Sequence, residues 1–239
     1  VVGRAQADLG ITLSGRQLTA VKASVNSRIM VITGGPGTGK TTIINAIIKV
    51  YDRMGQKVLL AAPTGRAAKR ITEATGREAK TIHRLLEYSP GGPSGDGGFK
   101  RNETNPLEAD LVVVDEVSMV DTLLMHHFLK ALSAGATLVL VGDIDQLPSV
   151  GPGNVLKDII DAGCVQVIRL NEIFRQSRQS MIIVNAHRIN NGEMPLVAHG
   201  EGSPKDFYFF TIEEPEKVLE KVISRCKEGL VSRFGYDPF

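Results

Sequence analysis

The sequence predicts an α/β fold, a parallel β-sheet with helices on both faces. Three observations predict it. Short β-rich runs alternate with helical stretches along the chain, the pattern of strands joined by helical crossovers. Each β-rich run is almost continuously apolar, as expected of strands covered on both faces. Polar, glycine-rich or acidic turns follow the runs directly, and sheets of this kind place their ligand sites at the carboxyl ends of the strands.

Taken in order, strands are expected at Ile29–Thr33, Lys57–Ala62, Leu111–Asp115, Thr137–Val141 and Val165–Leu170. Helices are expected at Lys40–Met54, Arg66–Thr75, Thr122–Leu132, Asn154–Ala162 and Met181–Asn191. Ser89 to Ala109 breaks the pattern, because five glycines and three prolines crowd it around Phe99-Lys100-Arg101. Composition alone favours a surface linker there, with an inserted hairpin or subdomain as the other reading. A second break, rich in Gly and Pro, runs from Asn191 to Lys205. Beyond it Asp206–Thr211 reads as a strand and Pro215–Lys227 as a helix, the opening of a further β-α unit. There is no internal repeat.

At 239 residues the chain can bury a real core and hold one or two domains. Its 42% hydrophobic and 23% charged residues are ordinary for a soluble globular protein. A net charge of +2 gives no global basic field, so any nucleic-acid surface must be local. Cys164 and Cys226 lie far apart with no C-x-x-C or Cys/His spacing, which argues against a cysteine-bound metal and fits a reducing, cytoplasmic setting. The longest apolar runs, such as Val58–Ala62 and Thr137–Val141, are far too short to span a bilayer, so no membrane is expected. No signal peptide is expected from this sequence, and Val1 in place of an initiator Met leads us to expect an excised or processed piece.

The run Gly34-Gly35-Pro36-Gly37-Thr38-Gly39-Lys40-Thr41-Thr42 matches the P-loop pattern G-x-x-x-x-G-K-[ST], between a strand and a helix. Glycines let the backbone curl until successive N–H groups face phosphate oxygens. The helix starting near Lys40 adds the positive end of its dipole to the same spot. The expected ATP-binding residues here are Gly35, Pro36, Gly37, Thr38, Gly39, Lys40, Thr41 and Thr42. Lys40 would reach the β and γ phosphates, and the Thr41 hydroxyl would ligate Mg²⁺. A glycine-rich turn that merely joins strand to helix is the bland alternative, and it does not account for Gly34 and Gly39 in register before Lys40-Thr41.

Leu111-Val112-Val113-Val114-Asp115-Glu116 is an apolar strand ending in two acids, the expected Walker B position. Asp115 would hold the hydrated Mg²⁺ and Glu116 would polarise the attacking water. Alone, such a pair is most often a solvated turn. The carboxylate beside the metal ligand points to hydrolysis, since many nucleotide kinases need no activated water. Gly142-Asp143-Ile144-Asp145-Gln146-Leu147-Pro148 follows the fourth strand. The Gln146 amide can accept from the lytic water and donate to the γ-phosphate, although a polar loop with a turn proline is the plain reading. Arg175, in Phe174-Arg175-Gln176, could set a guanidinium on the transferring phosphate, against the default of a surface arginine.

The case for nucleic acid rests on Pro63 to Tyr88. Thr64 to Tyr88 holds six basic residues (Arg66, Lys69, Arg70, Arg77, Lys80, Arg84) against three acids (Glu73, Glu78, Glu87). Thr64 and Thr81 read as N-caps, where hydroxyls and backbone N–H groups could meet phosphates. A solvated charged helix is the ordinary alternative. His83 alone reads as a packed or capped histidine, and His126-His127 as helix surface or core without a metal partner.

Together these motifs resemble a family. The P-loop, Ala62-Pro63-Thr64-Gly65-Arg66-Ala67-Ala68, Thr81-Ile82-His83-Arg84-Leu85-Leu86, Asp115-Glu116-Val117-Ser118-Met119, the loop from Gly142-Asp143 to Val150 and Phe174-Arg175-Gln176 follow the order of superfamily-one DNA helicases. The likeness is to the RecD-like branch, the helicase subunit or stand-alone relatives of exonuclease V, and it runs from about Leu13 to the end. It implies a RecA-like P-loop NTPase that uses ATP and Mg²⁺, hydrolyses ATP as a helicase, and translocates 5′ to 3′. It implies that Gln17 reads the adenine edge. Single-stranded DNA contacts would come from Pro63, Thr64, Gly65 and Arg66, and from Thr81, His83 and Arg84. Residues 89–109, with Phe99 and Asn102, would be a small pin-like hairpin subdomain inserted in the first motor domain, and partners would include the nuclease or helicase subunits of an exonuclease V-type complex. In these terms residues 1–170 are the first RecA-like domain and 171–239 the truncated start of the second, so a fragment with weak activity or none is expected. A P-loop nucleotide kinase, a nucleotide-gated binding module inside a larger complex, and an RNA helicase are the rival readings. The kinase lacks an acceptor pocket and an arginine-rich lid in this sequence.

Overall fold

The computed structural model describes residues 2–90, 98–172, 180–197, 206–229 and 235. Helices α1 (Val2–Leu9) and α2 (Gly15–Asn26) lead into β1 (Ile29–Gly34) and α3 (Lys40–Arg53). Then come β2 (Val58–Ala62), α4 (Gly65–Thr75), β3 (Ala79–Thr81), α5 (Ile82–Leu85), and the short strands β4 (Tyr88–Ser89) and β5 (Gly98–Phe99). The remainder is β6 (Leu111–Val114), α6 (Thr122–Ala131), β7 (Thr137–Gly142), α7 (Val155–Asp161), β8 (Gln166–Leu170), α8 (Met181–Asn190) and α9 (Pro215–Ser224).

Six strands form one parallel sheet in the order β3-β2-β6-β7-β1-β8. Side chains alternate across a strand, so each central strand feeds two cores. Met30, Ile32, Leu111, Val113, Val139 and Val141 face one side, packed under α1 to α4. Val31, Val112, Val114, Leu138 and Leu140 face the other, packed under α5, α6 and α7. That double covering is why the strands read as unbroken apolar runs. All five expected strands are present, as is each expected helix, within one or two residues of its bounds except that α9 ends at Ser224 in a π-helical turn, Arg225–Gly229.

Three elements lay below the reach of the periodicity. Helices α1 and α2 precede the first recognised strand, and α2 is tied down by Arg16 Nη1 donating to the Arg169 carbonyl at 2.8 Å and by the Tyr51 hydroxyl of α3 donating to the Ser24 carbonyl at 2.7 Å. Strand β3 has only three residues and sits at the sheet edge. One expectation is corrected: Asp206–Thr211 is not a strand. A strand needs a strand partner for its backbone groups, and no strand lies hydrogen-bonded alongside this segment among the described residues.

The linker reading of the glycine-rich stretch is also corrected at its ends, where β4 and β5 pair antiparallel with Tyr88 opposite Phe99. Residues 91–97 lie outside the described residues. Rings hold the hairpin's base to the domain: Tyr88 to Phe99 at 5.0 Å, Phe99 to His127 of α6 at 4.7 Å, and His83 of α5 to both at 5.7 Å.

Phe128 is fully buried between α6 and the sheet. Phe128→Ala is expected to destabilise the fold by about 3–5 kcal/mol, read as a lower urea midpoint at unchanged slope.

Candidate functional site

The P-loop leaves β1 where its neighbours press closely. A Cβ on Gly34 would come within 2.7 Å of the Leu170 carbonyl and 2.8 Å of Thr38 Oγ1, so only glycine fits. Gly37 and Gly39 take left-handed φ angles of 73° and 79°, which curl the loop and set Gly39 as the N-cap of α3. Thr38 Oγ1 donates to the Gly35 carbonyl at 2.8 Å and locks the turn. Lys40 Nζ folds back over the loop, donating to the Gly34 and Gly35 carbonyls at 2.5 and 3.1 Å.

A cavity of about 790 Å³ opens over this loop. Gly35, Pro36, Gly37, Thr38, Gly39, Lys40, Thr41 and Thr42 line it, together with Gln17, Arg70, Glu116 and Gln146. The sheet order explains the convergence. Strand β7 lies between β1 and β6, so the ends of three adjacent strands deliver the P-loop, the acids and the Gln146 loop to one rim. The donors fit a nucleoside triphosphate: a cradle with no room for a side chain at Gly34 or Gly35, an ammonium group, and a helix N-terminus. Gln17, 2% exposed on α2, accepts from the Ser14 N–H at 3.0 Å through Oε1, while its Nε2 is buried without a partner and free to donate to a bound ligand.

Asp115 is buried, and its backbone N–H donates to the Ala61 carbonyl of β2 at 3.0 Å. Its Oδ1 accepts from the Glu116 N–H at 2.9 Å. Burial pushes its carboxyl above the usual range, and the Glu116 charge adds to the rise. The Glu116 N–H, Lys40 and Arg70 oppose it. No cluster of three or more His, Cys, Asp or Glu side chains forms a metal site among the described residues. Mg²⁺ does not require one, since it keeps several waters and takes one or two protein oxygens plus phosphates. Asp115 and the Thr41 hydroxyl are hard oxygen donors of that kind.

Gln146 is exposed at the cavity mouth, and its N–H donates to the Asp143 carbonyl at 3.2 Å. The loop is pinned beneath it by Ile144 N–H donating to Thr33 Oγ1 on β1 at 3.2 Å. Arg175 lies outside the described residues.

The expected DNA contacts emerge side by side. Ala62 of β2 pairs with Thr81 of β3, so Pro63-Thr64-Gly65-Arg66 and Thr81-Ile82-His83-Arg84 leave neighbouring strand ends. Both threonines cap helices: Thr64 Oγ1 accepts from the Ala67 N–H and Thr81 Oγ1 from the Arg84 N–H, each at 3.2 Å. Gly65, Arg66, His83 and Arg84 are exposed. Arg84 lines a separate cleft with Lys57, Lys80 and Arg101.

Two site residues escaped the sequence reading. Arg70 of α4 enters the cavity and pairs with Glu116. His187 of α8 donates through Nε2 to the Pro36 carbonyl at 3.1 Å, and a Cβ on Gly35 would meet its ring at 2.7 Å. These contacts join residues 46 and 151 positions apart, so no local signal could reveal them.

Residues 17–152 match the family model described as AAA domain. The chain is 43% identical over 183 residues to the ATP-dependent RecD2 DNA helicase of Deinococcus radiodurans, covering 77% of this chain and 24% of the relative. It is 33% identical over 234 residues to the RecBCD enzyme subunit RecD of Mycobacterium tuberculosis, covering 87% and 40% respectively. The chain thus spans well under half the length of these curated relatives. Among solved structures, it is similar to the Pif1 helicase from Candida albicans, with a TM-score of 0.55, 27% identity, and coverage of 77% of this chain and 45% of that one.

The raised Asp115 carboxyl has a stability consequence. The folded chain holds that proton to a higher pH than the unfolded chain does, so between the two ranges the unfolded state binds fewer protons and stability falls as pH rises. In metal-free and nucleotide-free buffer, Asp115→Asn is expected to melt above the wild type at neutral pH, and the gap should close below the ordinary value of 3.8. Thermal melts across pH check this.

Proposed function

The chain belongs to the AAA domain family, and from that premise we propose that it is the ATP-hydrolysing motor core of a DNA helicase, coupling hydrolysis to movement on single-stranded DNA. One observation carries the reading: Lys40, Glu116 and Gln146, from three adjacent strand ends, line one cavity, and the strand beside them leads into Thr64-Gly65-Arg66. The names of the relatives, RecD2 DNA helicase and RecD, support it.

In this account the P-loop N–H groups and Lys40 bind the phosphates, and Arg175 adds a second cation on the transferring group. Thr41 and Asp115 would hold Mg²⁺, which would supply charge neutralisation on the phosphates. Glu116 orients the lytic water, and Gln146 bonds that water and the γ-phosphate, so its position reports whether the phosphate is there. Gln17 donates to the adenine edge through its spare Nε2. Pro63, Thr64, Gly65, Arg66, Thr81, His83 and Arg84 follow the strand's backbone. Residues 1–170 act as the first motor domain, with the 89–109 hairpin as its pin, and residues 171–239 begin the second. A 5′-to-3′ direction, work in recombination and repair, and partnership in an exonuclease V-type complex rest on the likeness to RecD alone, and a cytoplasmic setting rests on the separate cysteines Cys164 and Cys226.

Steady-state hydrolysis by the full-length protein tests the site. Lys40→Ala is expected to abolish turnover, and unchanged turnover contradicts the P-loop assignment. Glu116→Gln should keep ATP affinity while losing hydrolysis by about a hundredfold or more, whereas loss of binding instead would refute its role. For the DNA face, Arg66→Ala should weaken single-strand affinity and lower its salt slope by about one phosphate contact's worth, and an unaltered slope removes Arg66 from the interface.

A further inference from the structure

Arg70 has no part in the mechanism above, yet it reaches the site's central acid. It lies on α4 with a side chain 66% exposed, and its Nη2 donates to Glu116 Oε1 on a side chain only 12% exposed. The other carboxylate oxygen, Oε2, is buried without a partner. Glu116 itself sits at a left-handed φ of 54°, one of two non-glycine residues to do so among the described residues. A side chain rarely adopts that conformation, and such strain gathers where orientation matters.

The route from the DNA face to this pair is short. Arg66 and Arg70 are four residues apart on α4 and share a face, about one helical turn between them. Thr64 caps the helix at the DNA end. Strand β2, which feeds α4, is hydrogen-bonded to β6, whose end carries Asp115 and Glu116. A carboxylate already engaged by a guanidinium is a weaker acceptor for a water proton. The pair is also half in solvent, so it is worth little and can be broken by modest binding energy. A switch has to be weak in this way.

We propose that Arg70 is a positioning residue that holds the Glu116 carboxylate off the lytic water until single-stranded DNA engages the first turn of α4 and draws Arg70 away. This rests on the hydrolytic reading of the site. Arg70 thereby makes hydrolysis dependent on DNA.

The test compares the full-length wild type, Arg70→Ala, Arg70→Lys and Lys40→Ala for ATPase rate without DNA and with saturating oligothymidylate. Removing the restraint in Arg70→Ala should raise the DNA-free rate about two- to fivefold, leave the DNA-saturated rate in place, and shrink the stimulation ratio by the same factor. Arg70→Lys should recover part of the ratio. Affinity for a fluorescent ADP analogue, measured alongside, should stay within about twofold of wild type, a readout that a damaged nucleotide site would move. A DNA-free rate that is unchanged or lower in Arg70→Ala overturns the proposal. Should Lys40→Ala abolish turnover while Arg70→Ala keeps the full stimulation ratio, this inference alone fails. Should Lys40→Ala stay active, the hydrolytic reading falls and this inference with it.

Discussion

The site depends on the parallel pairing of β2, β6, β7 and β1. Parallel strands put all their carboxyl ends on one edge, and this order sets four chemically distinct loops in a row there: Pro63–Arg66, Asp115-Glu116, Gly142–Gln146 and the P-loop. A one-residue slip in any of these strands would exchange its two cores and turn its terminal acid or glycine to the wrong face. The two hydrophobic cores therefore do more than stabilise the sheet. They fix the register that brings Lys40, Glu116 and Gln146 to one cavity.

The same pairing makes the nucleotide cavity and the proposed DNA-contacting loops neighbours. Only β6 separates β2 from β7, and Asp115 bonds directly to Ala61 just upstream of the Thr64 cap. The two loops are thus joined by hydrogen-bonded backbone and, above it, by the Arg70–Glu116 pair. The second contact onto the site comes from outside the sheet, where His187 of α8 rests on Pro36. Helix α8 thus touches the P-loop directly.

Much of this was legible because its signals are local. A strand buried on both faces writes itself as a run such as Leu111–Val114, and a P-loop needs glycines where no Cβ fits, as at Gly34. The Thr64 and Thr81 caps were equally readable from residue type and position. What escaped has a weak local signature or none. Strand β3 is three residues of edge, α1 and α2 precede the first run, and the capping bond between Ser14 and Gln17 was the cue available for α2. The Asp206–Thr211 run is β-prone but has no partner strand among the described residues, so propensity misled. Arg70 read as one more cation on a charged helix until the fold placed it on Glu116.

Coupling between the two loops is reciprocal: if DNA alters the nucleotide site, nucleotide must alter DNA affinity by the same factor. The most direct measurement is the dissociation constant of a short single-stranded oligonucleotide for the full-length protein with no nucleotide, with ADP, and with a non-hydrolysable ATP analogue, at one fixed salt concentration. The account predicts that the triphosphate state differs from the other two by about fivefold or more. Equal affinity in all three states would contradict it.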